Sequence, residues 1–315
     1  MRPRILFMGT PDPSAVVLRA LAEAANIVAV ITQPDRPKGR PKALAPSPVK
    51  LAALELDLPV HTPATNTALN DILSDLSPPD LGVVVAYGMI LDTFALGVPM
   101  RGMVNLHFSL LPRWRGAAPV ERAMLSGDSE TGISLMQMDK GLDTGNILKS
   151  QIVEIGSATA GELTDVLALR GARLLCSSLD DLVAGRIDGT LQDRAVVTYA
   201  PKLTTGEAAL DFCAASEKVV RQIKAYDPRP GAYAFRGNDR FKFWRVRVSD
   251  QEPGYACGDI VASSDAVLVR TESGSVELLE LQPPNRARMS AAAWVRGQRG
   301  PLGRFLPKPG AELSE

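Results

Sequence analysis

With 315 residues, 22% of them charged and 45% apolar, and a formal charge of zero at pH 7, the chain has the composition of a soluble globular protein of two domains. Cys176, Cys213 and Cys257 are far apart, odd in number and form no CxxC pair, which argues against a disulfide framework or a zinc site and for a reducing compartment. No apolar run reaches the roughly 18 residues of a membrane span, and MRPRILFMG leads straight into a strand without a signal peptide, so a cytoplasmic location is expected.

In chain order, RILFMG (4–9) reads as a buried strand and Thr10-Pro11-Asp12 as its exit turn. A helix over 15–24 follows, with Asp12 placed to cap it and Pro13 in its first turn. IVAVIT (27–32) is the second strand, and strand, helix and strand within about 30 residues make a parallel βαβ unit. GTPDPS lacks the GxGxxG spacing and no acidic ribose partner ends the second strand, so dinucleotide chemistry is rejected. The stretch 34–50 (PDRPKGRPKALAPSPVK) sets prolines at 34, 37, 41, 46 and 48 among basic residues at 36, 38, 40, 42 and 50, opposed only by Asp35. It is expected as a mobile basic loop, neither helix nor central strand. Such a loop is either a solvated connection or, beside the carboxyl ends of parallel strands, a cationic arm for a phosphate backbone. A helix over 49–55, a short strand over 58–60 leading to a structural His61, and a helix over 67–76 come next. The near-continuous apolar run 81–86 is a central strand, with YGMIL (87–91) turning the chain at the sheet edge.

Residues 104–145 carry the chemistry. Asn105 and His107 are two apart, so an extended segment puts both side chains on one face. Asp143 returns in a Gly-flanked loop after a strand over 132–138. An amide, an imidazole and a carboxylate supply an oxyanion donor, a proton-transfer group and a group to orient it. No activated Ser or Cys nucleophile accompanies them, which suits a transfer whose nucleophile, such as an amine, belongs to the substrate. A histidine near a strand end is equally compatible with a structural role, although this chain has only two histidines. Between them and a helix over 117–125, Ser109 to Pro112 (SLLP) is a tight turn and a candidate for a cis X-Pro bond, and Arg113, Trp114 and Arg115 offer charge and stacking. No acid/His/Cys cluster has ligand spacing, so no metal is expected.

A strand over 151–155 and a long helix over 160–184 close the first domain, and 190–205 is linker-like. After a helix over 217–225 the period changes to two, in short strands separated by Gly, Asp and Asn turns, which is the pattern of a small antiparallel OB-like barrel. Residues 200–315 hold 17 Lys+Arg against 14 Asp+Glu, so the basic excess lies in this half. Lys242, Arg245 and Arg247 are its candidate nucleic-acid contacts, with a solvated strand face as the other reading. The expected fold is α/β: a Rossmann-like open, mostly parallel sheet domain (1–189), a linker (190–205) and a smaller C-terminal OB-like β-barrel domain (206–315).

NLHFSLLPRWRG (105–116) followed by MDKGLDTG (138–145) resembles the formyltetrahydrofolate-dependent formyltransferases. The similarity runs from ILFMGTPD through TQPDRPKGR and VVAYGMIL to TYAPKL and LLELQPPNRARM, nearly the whole chain. The resemblance implies that a formyl group moves from N10 of 10-formyltetrahydrofolate to the α-amine of methionine on initiator methionyl-tRNA, with Asn105, His107 and Asp143 catalytic. It implies folate contacts from the backbone of Met89 and Leu91 and from the signature Ser109, Leu110, Leu111 and Pro112. It also sets Arg36, Lys38, Arg40 and Lys42 against the tRNA acceptor end, in a protein expected to be monomeric and free of membrane. Two rivals remain. A formyl transferase or hydrolase acting on a small amine or on water would need neither basic loop nor second domain. A non-catalytic nucleic-acid binder on the same scaffold would not need an intact site.

Overall fold

The computed structural model describes residues 2–38, 43–264 and 266–309, and they form two compact units. The first runs to Pro119 and adds 130–154 and 164–200; the second takes in 120–129, 155–163 and the chain from 201 onward.

In the first unit β1 (Arg4–Gly9), α1 (Asp12–Ala24) and β2 (Asn26–Ile31) form the expected βαβ unit, both strands parallel. α1 begins three residues earlier than expected, so Pro11 is the N-cap, without a side-chain cap bond, and Asp12 lies in the first turn. There its charge faces the helix dipole instead of capping it. The described residues of the basic stretch hold more regular structure than its prolines suggest. β3 (Arg36–Lys38) pairs antiparallel with β4 (Ala43–Ala45), and α2 (Pro48–Glu55) starts inside the stretch. Ser47 caps α2 by accepting from the Lys50 N–H at 2.9 Å, and Pro48 takes a first-turn position where its missing N–H is harmless.

The chain continues through β5 (Val60–His61), α3 (Asn66–Ser74), β6 (Leu81–Val85), α4 (Thr93–Gly97) and β7 (Met103–His107). Then follow β8 (Arg115–Gly116), α5 (Pro119–Ser126), β9 (Glu130–Gln137), β10 (Ile147–Glu154), α6 (Ala160–Ala184) and β11 (Tyr199–Ala200). The main sheet has the order β10-β9-β7-β6-β1-β2-β5. The five strands from β7 to β5 are parallel; β9 and β10 run antiparallel. β1, β6 and β7 are buried almost throughout, as a sheet covered on both faces requires. The chain leaves β1 toward β2 and later returns on the other side through β6, so the order reverses there, the point at which open α/β sheets place their ligand sites. His61 pairs with Ile31 on the edge strand, away from β7.

The second unit is a curled antiparallel half-barrel. Its elements are α7 (Ser216–Ala225), β12 (Tyr233–Arg236), β13 (Asp239–Ser249), β14 (Ile260–Ala262), β15 (Val267–Arg270), β16 (Ser275–Gln282), β17 (Met289–Ser290) and α8 (Ala291–Arg296). The strands lie in the order β12-β13-β16-β15-β14, with β17 also on β16. Phe305 holds the centre of the core, its ring 5.0 Å from Phe243, 5.3 Å from Phe241 and 6.0 Å from Phe212.

Candidate active site

β7 ends in the site. Asn105 and His107 leave the same face of the strand, and both are nearly enclosed, at 9% and 6% exposed. The third residue arrives from the β9–β10 connection, where Asp139 ties the loop by accepting from the Gly141 N–H at 2.9 Å and the Thr144 hydroxyl at 2.6 Å. Gly145 is required here because a Cβ would run into the Gln137 carbonyl. Asp143 itself sits at φ +53°, in the left-handed region that Asp tolerates better than most non-glycine residues.

The three side chains meet. Asn105 Nδ2 donates to Asp143 Oδ1 at 3.3 Å, and the backbone N–H of Gly116 donates to Asp143 Oδ2 at 2.8 Å. Gly116 adopts φ +125° and an added Cβ would lie 2.7 Å from the Ala200 carbonyl oxygen, so glycine alone lets this N–H reach the carboxylate. His107 Nδ1 stands 3.8 Å from Asp143 Oδ2, an electrostatic contact and not a hydrogen bond. Its Nε2 donates to the Trp114 carbonyl at 2.9 Å. Both ring nitrogens therefore face oxygen atoms, one in a hydrogen bond and one at longer range. One N–H of the Asn105 amide is fixed on Asp143, which orients the other for a substrate oxygen.

The signature turn lies directly after β7. Leu111–Pro112 is cis, as the sequence suggests. The Ser109 hydroxyl donates to the Arg113 carbonyl at 2.6 Å and Ser109 is fully buried, so this bond closes the turn. Ser134 Oγ, from β9, accepts from Leu111 N–H at 3.1 Å and donates to the Ser109 carbonyl at 2.8 Å. At the neighbouring exit of β6, the Thr10 hydroxyl donates to the Tyr87 carbonyl at 2.8 Å. Leu91 is buried in an apolar cluster and Met89 packs against it. Tyr87 belongs to the same cluster; burial pushes its hydroxyl up to about 12, so it stays a neutral phenol.

The expected cations are scattered. Arg36 is exposed near the end of β2, and its guanidinium donates to Gln33 Oε1 at 3.1 Å. Lys38 ends β3, and Arg40 and Lys42 lie outside the described residues. In the second unit, Arg245 is exposed, and Arg247 is already paired with Glu277 at 2.6 and 3.0 Å. Lys242, three residues before Arg245, lies out of phase with Arg245 and Arg247 in a strict alternation, and β13 shifts register on both sides of Arg245. Its ammonium donates to the Pro230 carbonyl at 2.9 Å; burial first, then the like charges of Arg240 and Arg288, lower its pKa. Pattern alone missed Arg240, stacked 3.7 Å from the Tyr233 ring centroid, and Arg288, 3.5 Å from that of Trp244. It also missed Gln192 and Thr198, which touch the site from the segment read as linker. Among the described residues no group of three or more His, Cys, Asp or Glu could hold a metal ion.

Comparison with known proteins follows these two units. The family described as "Formyl transferase" matches residues 3–179, and its C-terminal domain matches 202–299. A methionyl-tRNA formyltransferase of Symbiobacterium thermophilum is 44% identical over 312 residues, covering 96% of this chain and 95% of that one. The corresponding protein of Methylococcus capsulatus is 44% identical over 292 residues, covering 91% and 94%. Among solved structures, HypX from Aquifex aeolicus in complex with tetrahydrofolic acid aligns with a TM-score of 0.66 at 17% identity, over 94% of this chain and 47% of that one. The N-formyltransferase from Helicobacter canadensis, in complex with folinic acid and dTDP-3-aminofucose, gives 0.66 at 18% identity, over 90% and 100%. Those structural likenesses speak for the fold alone. Sequence identity over nearly full length goes further, and the chain belongs to the formyl transferase family.

Proposed function

We propose that the protein transfers the formyl group of 10-formyltetrahydrofolate to the α-amine of methionine on initiator methionyl-tRNA, giving formylmethionyl-tRNA for translation initiation. The observation that carries this is the Asn105–Asp143–His107 cluster, with separations of 3.3 and 3.8 Å, standing without a side-chain nucleophile in a chain related over its full length to enzymes of that name. The amine supplies the electron pair: it attacks the formyl carbon, and the carbonyl oxygen becomes an oxyanion. The Asn105 N–H not engaged by Asp143 donates to that oxygen, and a protonated His107 adds positive charge beside it. When the intermediate collapses, the bond to N10 breaks. Protonated His107 gives its proton to N10 as that bond breaks and takes up the proton lost by the amine, so the imidazole ends the transfer as it began. Asp143 holds the imidazole and the amide in register. A free α-amine has a pKa of about 7.7–8.0, so it needs little help to enter as the neutral nucleophile.

The finer assignments belong to the same proposal. Residues 1–189 carry catalysis, 206–315 bind tRNA, and the main chain of Met89 and Leu91 with the turn 109–112 holds the folate. Arg36, Lys38, Arg40, Lys42, Lys242 and Arg245 face phosphates, and Arg247 joins them only if it leaves Glu277. The protein acts as a cytoplasmic monomer. The test is incubation with charged initiator tRNA and 10-formyltetrahydrofolate, scored for formylmethionine on the tRNA. Formylation of a free amino sugar but not of the charged tRNA would replace this reading with that of a small-amine transferase.

A further inference from the structure

The segment 190–200 has no periodicity and reads in sequence as a connection. Its side chains nevertheless hold both halves of the catalytic cluster. Gln192 Nε2 donates to the backbone carbonyls of Asp143 at 2.9 Å and Gly145 at 2.7 Å. Its Oε1 accepts twice from Arg115, from Nε at 3.0 Å and Nη2 at 2.7 Å. One amide thus clamps the loop that presents Asp143 to the residue immediately before Gly116, whose N–H binds the Asp143 carboxylate. Thr198 does the same for the imidazole. Its hydroxyl accepts from the Trp114 N–H at 2.8 Å, its carbonyl accepts from Arg115 N–H at 2.9 Å, and its own N–H donates to the Pro112 carbonyl. These bonds hold Trp114 at φ +63°, and it is the Trp114 carbonyl that receives His107 Nε2. Left-handed backbone at a bulky residue is strained and persists only where neighbours impose it. Trp114 is such a residue, Asp143 shares the left-handed conformation, and each is held by one side chain of this segment.

We propose that Gln192 and Thr198 are positioning residues for the transfer, the first fixing Asp143 and the second fixing His107 through Trp114. This rests on the formyl-transfer reading given above. Neither residue is assigned contact with a substrate, so their loss should act on the chemical step and leave binding intact. A displacement of about 1 Å at a reacting group can lower a rate by about a hundredfold.

The experiment is steady-state kinetics on the full chain with charged initiator tRNA and 10-formyltetrahydrofolate, each varied separately, with the folded fraction of each variant measured. Gln192→Glu keeps an acceptor for Arg115 but has no N–H for the two loop carbonyls. Its kcat should fall about ten- to a hundredfold with both KM values within about twofold of the parent. Thr198→Val, which keeps the shape but not the hydroxyl, should lower kcat about tenfold, and Thr198→Ser should restore it. If Gln192→Glu does not fold, Gln192→Met, of similar length and without either polar function, takes its place. A purely structural role would lower the thermal midpoint of these variants while leaving kcat per folded molecule near the parent value, and that result overturns the proposal. Failure of the unmodified protein to formylate the tRNA overturns the functional reading and this inference with it, and is recognised without any variant.

Discussion

Two polar regions of this chain are built on opposite terms. Around Asn105 in the first unit, the polar groups are matched to one another: the Asp143 carboxylate meets an amide and a backbone N–H, and the imidazole meets a carbonyl and that carboxylate. Around Lys242 in the second unit, three cations crowd together against the carboxylate of Asp227, 3.4 Å from Arg288, and two of them, Arg240 and Arg288, lie on aromatic rings. The first arrangement fixes atoms, which is what an oxyanion site needs. The second leaves a surplus of charge near stacking surfaces, which is what a polyanion rewards. Damage to the first should therefore appear in kcat, and damage to the second in tRNA binding and its salt dependence.

The largest expected effect lies in neither region but in the scaffold of the second. Phe305→Ala removes a buried ring that touches Phe212, Phe241, Phe243 and Trp294, and should cost about 3–5 kcal/mol of stability. Denaturant unfolding followed by tryptophan fluorescence reads it, since Trp244 and Trp294 lie in that unit. A destabilisation under about 1 kcal/mol would mean that the ring cluster is not the core. Next comes Asn105→Ala, which should lower kcat by roughly a hundredfold or more with little change in thermal midpoint. Near-normal turnover in a folded variant removes Asn105 from the mechanism.

A smaller effect tests the other side of the comparison. Replacing Arg240 and Arg288 with Ala should raise the KM for charged tRNA and make the log–log salt slope shallower by about 0.7–0.9 for each phosphate no longer neutralised. Arg247→Ala is the control, because its guanidinium makes two bonds to Glu277 at 2.6 and 3.0 Å, whereas Arg288 meets Asp227 through one long contact of 3.4 Å. Equal slopes for the double variant and the unmodified protein would show that the stacked cations serve the fold and not the tRNA.

Much of the first region was legible because its signal is local. Asn105 and His107 declare a shared face through strand period, and the apolar run of β6 and the βαβ pattern declare the sheet that carries them. Asp143 could be singled out by its Gly-flanked loop. What pattern could not reach were bonds that depend on chain crossings. Gln192 approaches Asp143 only because Thr190 bridges to Ile147 and β11 lies along β8. The second region was legible as basic and β-rich, yet its cation cluster was not. Arg288 meets Trp244 through tertiary packing, and the register shifts on both sides of Arg245 break the alternation that a strand pattern assumes.

The smallest predicted effect contrasts two carboxylates. Asp143 is supplied with donors, whereas Glu121, in the first turn of α5, is met chiefly by burial, which raises its pKa against the weaker pull of its own backbone N–H and Arg122. A folded-state pKa above the unfolded value means that the fold prefers the protonated acid. That preference contributes stability in full below the unfolded carboxylate range of about 4.3, and it is lost as pH rises through the folded value. At neutral pH the group is therefore a small liability. Glu121→Gln, which keeps the shape and removes the charge, should raise the thermal midpoint at pH 7 by about 1–2 °C and leave it unchanged near pH 3.5, where the acid is protonated in both states. Thermal scans of both proteins across that range are sufficient. A Gln variant that is less stable at pH 7 than at pH 3.5, each relative to the unmodified protein, would mean that the carboxylate is held by a favourable contact, as at Asp143, and not merely buried.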